Sequence, residues 1–284
     1  MMKASIVGLL SIAFCSYASV TSSEDLVSWS LKKPITQDTS DATPPKKEER
    51  PDPRYRSRVQ VGADYTYLYF NPHGSSNFHG NLGGAQAIYE FRPLNDIYAG
   101  ANFIYKQGNT AGAANDRSIL YFDTQERLGY SFDLRRWNSD LSLYSGIGYH
   151  FLGQKLSQPG LSSLRFDYNE FYIPVGFAYT YSFSTFFSLG LNGVWMPQVF
   201  GIVAIDPLDG AYWTLTRTVG NFKVEIPFGF SIDKQRRYQI FATPFFEFWE
   251  DGHSDAVTTT GIPLGLPGNT YYYTGIDVNF SYSF

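Results

Sequence analysis

The sequence predicts an all-β chain: a transmembrane antiparallel up-and-down β-barrel of about ten strands, with eight or twelve as the alternatives. Three observations predict it. Segments of about ten residues alternate apolar and polar side chains with a period of two, so one face of each strand is greasy and the other wet. Tyr (22) and Phe (24) bring the aromatic share to 18%, while the mean hydropathy is only −0.22. Short and long connections then alternate along the chain, as a meander with two unlike ends requires.

The first element is a leader. Lys3 supplies a positive start, Ile6 to Phe14 is a compact apolar run, and Ser16-Tyr17-Ala18 offers a cleavage site, so residues 1–18 read as a signal peptide. The apolar run is too short to span a bilayer as a helix. Phe14 before Cys15 argues against lipidation, which needs a small residue there. Cleavage after Ala18 removes the only cysteine, and with it any disulfide, thiol chemistry or Cys metal site.

Residues 19–57 are of a different kind. From Glu24 to Arg56 there are seven basic and seven acidic residues, interleaved with Pro44-Pro45 and Pro51-Asp52-Pro53 and without an apolar face. Such a stretch cannot bury enough apolar area to offset chain entropy, and it reads as a disordered polar tail. Leu26, Val27, Trp29 and Leu31 are its candidate docking residues. A net charge of −4 gives no reason to propose nucleic acid as a partner.

The barrel is expected over residues 58–284. In the first strand Val59, Val61, Ala63, Tyr65, Tyr67 and Tyr69 face one way. The second sets Ala85, Ala87, Tyr89 and Phe91 against Gln86 and Glu90, and the third Ile97 to Tyr105 against Asn102 and Lys106. The fifth puts Leu141, Leu143 and Ile147 outside and His150 inside. The sixth exposes Phe171 to Phe183, the seventh Phe187 to Trp195, and the eighth Phe222 to Ile232. The ninth covers 237–249, and the tenth ends the chain. Connections at 92–96, 133–138, 182–184 and 233–236 are short. Those at 71–80, 108–117, 152–167, 196–213 and 250–270 are long. The stretch 196–213 is expected to extend strands seven and eight around a turn at Asp206–Gly210 rather than to add a hairpin.

Two departures stand out. Placing Asp123, Gln125 and Arg127 inside turns Glu126 outward, so a bulge or register shift is expected in the fourth strand. Pro174, Pro227 and Pro244 each remove a ladder donor, so local irregularity is expected at all three.

The final segment, YYYTGIDVNFSYSF from Tyr271 to Phe284, carries Tyr272, Thr274, Ile276, Val278, Phe280, Tyr282 and Phe284 on one face. A closing strand with alternate aromatics and a terminal Phe resembles that of bacterial outer-membrane β-barrels, including the small monomeric porin-like and opacity-type barrels. The resemblance covers about four-fifths of the chain and is architectural. It implies that Tyr282 and Phe284 form the assembly signal read by the barrel-assembly machinery. It also implies an outer-membrane location among its lipids, with the N-terminal tail and the C-terminus in the periplasm and the long loops outside the cell.

The inward set on this phasing is Asp64, Glu90, Asp123, Glu225, Glu247 and Asp277 against Lys106, Arg127 and Lys223. A ten-stranded barrel is narrow enough for side chains to fill, so these lumen charges are expected to form an interior ion-pair network. The alternative is a narrow channel for small solutes. A third reading starts from the resemblance to omptin proteases, which are of the same size and use an Asp pair facing an Asp–His dyad at the extracellular rim. The best local cluster for it is His253-Ser254-Asp255, and no motif of the known barrel enzymes accompanies it. His73 and His79 are two ligands without a third. The expectation is therefore no catalysis, cofactor or metal. The remaining role is structural or adhesin-like, with contacts to a host or surface ligand through loops carrying Tyr212, Trp213, Trp249 and His253.

Overall fold

The computed structural model describes residues 57–284, apart from 75, 114–115, 158–163, 207 and 209–210. The expected leader and the tail as far as residue 56 lie outside the described residues. Fourteen strands form one antiparallel sheet. The first five are β1 (Ser57–Pro72), β2 (Phe78–Phe91), β3 (Asp96–Gly112), β4 (Asp116–Leu134) and β5 (Ser139–Ser157). Three interrupted spans follow. β6 (Leu164–Tyr172) continues as β7 (Val175–Ser182), and β8 (Phe187–Trp195) as β9 (Gln198–Asp206). The third is divided into β10 (Tyr212–Thr214), β11 (Phe222–Glu225) and β12 (Phe228–Ser231). β13 (Tyr238–Asp251) and β14 (Asn269–Ser283) complete the sheet.

The wall is a closed ten-span barrel. Each span pairs with its sequence neighbours, and β1 pairs with β14 from Arg58↔Ser283 to Pro72↔Asn269. The terminal residue seals the seam, because Ser57 N donates to Phe284 O (3.1 Å) and Phe284 N to Ser57 O (2.9 Å). Closure removes the edges that would leave backbone donors unpaired. Short turns gather at one end, three of them using a non-glycine residue at positive φ: Asn95 (53°), Asn138 (51°) and Arg236 (59°). In the last of these turns Tyr238 N donates to the Asp233 carboxylate (3.0 Å), and Arg236 Nη1 reaches Ser182 Oγ (2.9 Å) of the neighbouring turn. The long connections gather at the other end. β9 and β10 pair beyond the wall, Ala204 opposite Tyr212, which is the extension expected of residues 196–213.

Proline writes the interruptions. Pro174 separates β6 from β7 and Pro227 separates β11 from β12. Pro197, within the expected long connection 196–213, separates β8 from β9 beside Pro174, and Ile173 N donates across the gap to Pro197 O (3.1 Å). Pro244 leaves its own strand continuous, and the irregularity expected there is a gap in the ladder on one side. It stands opposite the Pro227 gap, where Ile226 N donates to Pro244 O (3.0 Å) and no return bond is needed. Two defects share one site.

The expected bulge in the fourth strand is absent. β4 keeps one continuous register with β3 from Asp96↔Ser131 to Ala111↔Asp116, and with β5 over its whole length. Asp123, Gln125 and Arg127 point inward, and Glu126 stands on the outer wall, half-buried. Glu126 lies opposite Ala101 on one side and Ile147 on the other.

Outside, the wall is apolar with two aromatic girdles. Tyr130, Phe132, Phe183, Tyr238, Tyr282 and Phe284 are exposed toward the short-turn end. Tyr67, Tyr105, Phe171, Trp195, Phe222 and Tyr272 are exposed toward the long-loop end. A soluble protein does not expose this much contiguous apolar surface, whereas an aromatic-rimmed band is what a bilayer solvates.

Candidate functional site

The lumen holds the chemistry, in three layers. Nearest the short turns, Glu90 of β2 collects Arg58, whose Nε lies at 3.1 Å, Arg92 Nη2 (3.2 Å) and the Tyr98 hydroxyl (3.2 Å). Arg92 Nη1 continues to Asp140 (3.0 Å) and Thr180 (3.2 Å), which ties β2 to β5 and β7 across the mouth. A cavity of about 60 Å³ lies here, lined in part by Arg58, Gln86, Arg127, Glu225 and Asp277. It has room for a few waters, and polar walls to hold them.

In the middle layer Asp64 and Asp277 face each other across β1 and β14. Like charges in register repel unless a cation intervenes. Lys106 supplies a cation on the Asp64 side, its Nζ 2.8 Å from that carboxylate and 2.9 Å from Thr66 Oγ1, with the lysine fully buried. Lys223 pairs with Glu225 at 2.7 Å, and Asn192 donates to the same carboxylate (3.0 Å). Both ammonium groups lie over the Phe245 ring, at 4.5 and 4.8 Å from its centroid. Arg127 donates to Gln125 Oε1 (3.0 Å) and lies over Tyr144.

The third layer, toward the long loops, is a wall of rings around carboxylates. Tyr172 donates to Asp123 (2.8 Å) and Tyr121 to Glu247 (3.1 Å). His150 stacks on Trp249, with Asp123 3.5 Å from its Nδ1, and Trp249 Nε1 donates to Glu170 (2.6 Å). Tyr271 donates to Asp251 (2.6 Å), receives Gln154 (2.8 Å) and stacks on Phe70. Tyr121, Tyr172, Trp249, Tyr271 and Tyr273 are each at most 1% exposed. Gly148 lets the Tyr172 ring lie across the wall, because a Cβ there would come within 2.2 Å of the ring.

All nine sequence-assigned lumen charges stand on this inner wall, but they do not form one network. Asp64, Lys106 and Asp277 meet, and Lys223 meets Glu225. Asp123 and Glu247 are held by tyrosines rather than cations. Arg58, Arg92, Asp140, Glu170 and Asp251 belong to the site and went unassigned. The parity that puts Phe171 outside and Glu247 inside also points to Glu170 and Asp251. Tyr282 and Phe284, the expected assembly signal, are exposed on the outer wall with rings 5.9 Å apart.

The loop candidates separate. His253 Nε2 lies 3.1 Å from Thr216 Oγ1. Ser254 Oγ donates to the Asp255 carbonyl (2.9 Å) and accepts from Leu266 N (2.6 Å), so loop backbone occupies it. His73 Nε2 faces Thr270 Oγ1 (3.1 Å), while His79 is exposed on the outer wall opposite Tyr69. Trp213 and Trp249, expected on exposed loops, are fully buried. Trp249 fills the lumen, and the Trp213 indole N–H is bonded to Leu264 O of the 252–268 connection, which folds over the barrel end.

No family model and no curated protein matches the chain. Solved structures do match. The outer-membrane protease OmpT from Escherichia coli is similar at 10% identity and a TM-score of 0.52, over 80% of this chain and 96% of that one. The transport unit of the autotransporter AIDA-I from Escherichia coli aligns at 12% identity and a TM-score of 0.46, over 86% and 94%. The TodX deltaS2S3 mutant monoaromatic hydrocarbon channel aligns at 10% and 0.41, over 80% and 90%. At these identities the OmpT likeness speaks to the fold, a closed antiparallel barrel of outer-membrane type.

Proposed function

We propose that this chain is a bacterial outer-membrane β-barrel with a filled lumen, serving a structural or surface-interaction role rather than transport or catalysis. The observation that carries the reading is the ring layer toward the long loops: five large aromatic side chains, each at most 1% exposed, occupy the space a solute would cross. The exposed apolar side chains Leu208, Tyr212, Val257 and Leu264 at the long-loop end supply a contact surface for a host or neighbouring ligand. With the short turns and Phe284 in the periplasm, these loops face outward from the cell, and the barrel-assembly machinery reads the terminal strand.

A narrow channel is the second reading, favoured by the polar cavity at the short-turn end. Hydrolysis of the omptin kind has less support, because Ser254 is held by backbone and His253 faces Thr216. Cell fractionation tests the reading. The protein is expected in the outer membrane, with unheated gel mobility different from boiled, and its binding to surface ligands is expected to depend on residues 196–213 and 250–270. Ready solubility without detergent contradicts it.

A further inference from the structure

Glu170 of β6 and Asp251 of β13 are fully buried in the ring layer, and neither forms an ion pair with a described lysine or arginine. Each has one oxygen occupied. Trp249 donates to Glu170 Oε2, and Tyr271 and Asn269 donate to Asp251 Oδ2. The other two oxygens, Glu170 Oε1 and Asp251 Oδ1, receive no donor. The two carboxyl groups lie within hydrogen-bond reach of each other. Two ionised carboxylates cannot bond, and in a buried place without a cation they repel. One proton held between them gives both a partner and removes one charge. Fixed positive charge does not reach the pair. His150 of β5 faces it with neither ring nitrogen hydrogen-bonded, and Asp123 of β4 lies 3.5 Å from its Nδ1. Tyr168 of β6 and Tyr271 and Tyr273 of β14 also face it, with Gln198 of β9 beside Glu170 and Glu247 of β13 beside Tyr273. Arg117 of β4 is connected only through Gln154, which donates to Tyr271.

The pair also stands at the root of the 252–268 connection. Asp251 ends β13, Asn269 begins β14, and the Asn269 side chain bridges Asp251 Oδ2 (3.3 Å) and the Tyr168 hydroxyl (2.9 Å). From there the connection folds over the barrel end as a cap. Thr216 N donates to His253 O (2.9 Å), Thr259 N to Tyr212 O (3.1 Å), and the Trp213 indole to Leu264 O. Asp251 thus joins the cap on one side to Glu170 of the wall on the other. We propose that Glu170 and Asp251 form a proton-operated latch, which holds the 252–268 connection closed over the barrel end and releases it when the shared proton is lost. Two buried like charges then separate toward water, and Asp251 is the one free to move because its chain continues into the cap. Release uncovers Trp213. A proton bound in the closed state and lost in the open one favours closure at low pH and opening as pH rises, by at most about tenfold per pH unit.

The test uses the purified, folded protein with Cys15→Ser and a nitroxide spin label at Leu264→Cys on the cap or at Gln235→Cys on a short turn, both exposed positions. Between pH ~5 and pH ~9 the ratio of mobile to immobile label at position 264 is expected to rise by about tenfold or more, with the label at position 235 unchanged. Glu170→Gln gives Asp251 a permanent donor and is expected to keep the cap immobile at every pH, and Asp251→Asn is expected to do the same. A cap that does not loosen with pH in the labelled parent overturns the proposal. So does equal loosening at position 235, or a cap that still loosens in Glu170→Gln or Asp251→Asn. If neither substituted protein keeps the heat-dependent mobility shift, infrared spectra of the parent decide. A protonated-carboxyl band lost in step with cap release is expected, and the absence of such a band overturns the latch.

Discussion

The imidazole of His150 stacks on the indole of Trp249, ring centroids 4.1 Å apart and planes 23° apart, at a level of the lumen where both side chains are fully buried. The two residues belong to β5 and β13, so the contact spans the interior. Trp249 then donates to Glu170 and Tyr172 to Asp123, which ties β4, β5 and β6 to β13 across the bore.

If these rings close the path, removing several at once is expected to open it. Combined Trp249→Ala, Tyr271→Ala and Tyr273→Ala should introduce ion conductance, while the protein keeps its heat-dependent gel shift. The wall does not depend on these side chains for its backbone ladder. Conductance unchanged by all three substitutions would show that the block lies elsewhere.

Glu90 holds two guanidinium groups at the short-turn mouth. Glu90→Gln leaves Arg58 and Arg92 without that counter-charge in a largely buried place, a loss of about 3 kcal/mol. Urea unfolding in lipid vesicles, followed by tryptophan fluorescence, should show a lowered midpoint. An unchanged midpoint would mean that water in the adjoining cavity already screens the pair.

Gly148→Val is expected to expel the Tyr172 ring from the wall and free Asp123 of its hydrogen bond. The destabilisation should be in the overpacking range of about 1–3 kcal/mol. Adding Tyr172→Ala to Gly148→Val should recover part of it. Purely additive losses would contradict the packing assignment.

At the short-turn end, the backbone N–H of Tyr238 holds the Asp233 carboxyl below its ordinary range. A lowered folded-state value means the contribution is present above the unfolded value of about 3.9 and lost as pH falls through the lower folded one. Asp233→Asn should therefore be less stable than the parent at neutral pH, with the gap narrowing in acid. A gap that widens below pH ~4 has the wrong sign.

Much of this was legible because a barrel strand obeys a period of two. Once Val59 and Tyr67 were outward, Asp64 had to be inward, and the same parity placed Lys106 and Glu247. The fourth strand departs from the pattern that its side chains suggest. Glu126 looked too polar for the outer face, so a bulge was expected, yet an uninterrupted ladder outweighed one awkward side chain. Partners were the hidden part. Asp123 is held by Tyr172, 49 positions away, and Glu247 by Tyr121, 126 away, and periodicity carries no information at that range. The burial of Trp213 is hidden for a related reason. It sits in a polar, turn-rich stretch and is buried only because the 252–268 connection folds over it.

The phenyl ring of Phe284 is exposed, but its backbone is bonded to Ser57 at the seam. Removing Phe284, or changing it to Asp, should reduce the yield of heat-modifiable barrel far more than removing residues 24–50. Equal yields would detach the terminus from assembly.

The measurement that bears most directly on the filled lumen is single-channel recording of the purified, folded protein in a planar lipid bilayer. The ring layer of Tyr121, Tyr172, Trp249, Tyr271 and Tyr273 predicts little or no steady conductance. Large, stable single-channel currents from the unmodified protein would contradict it.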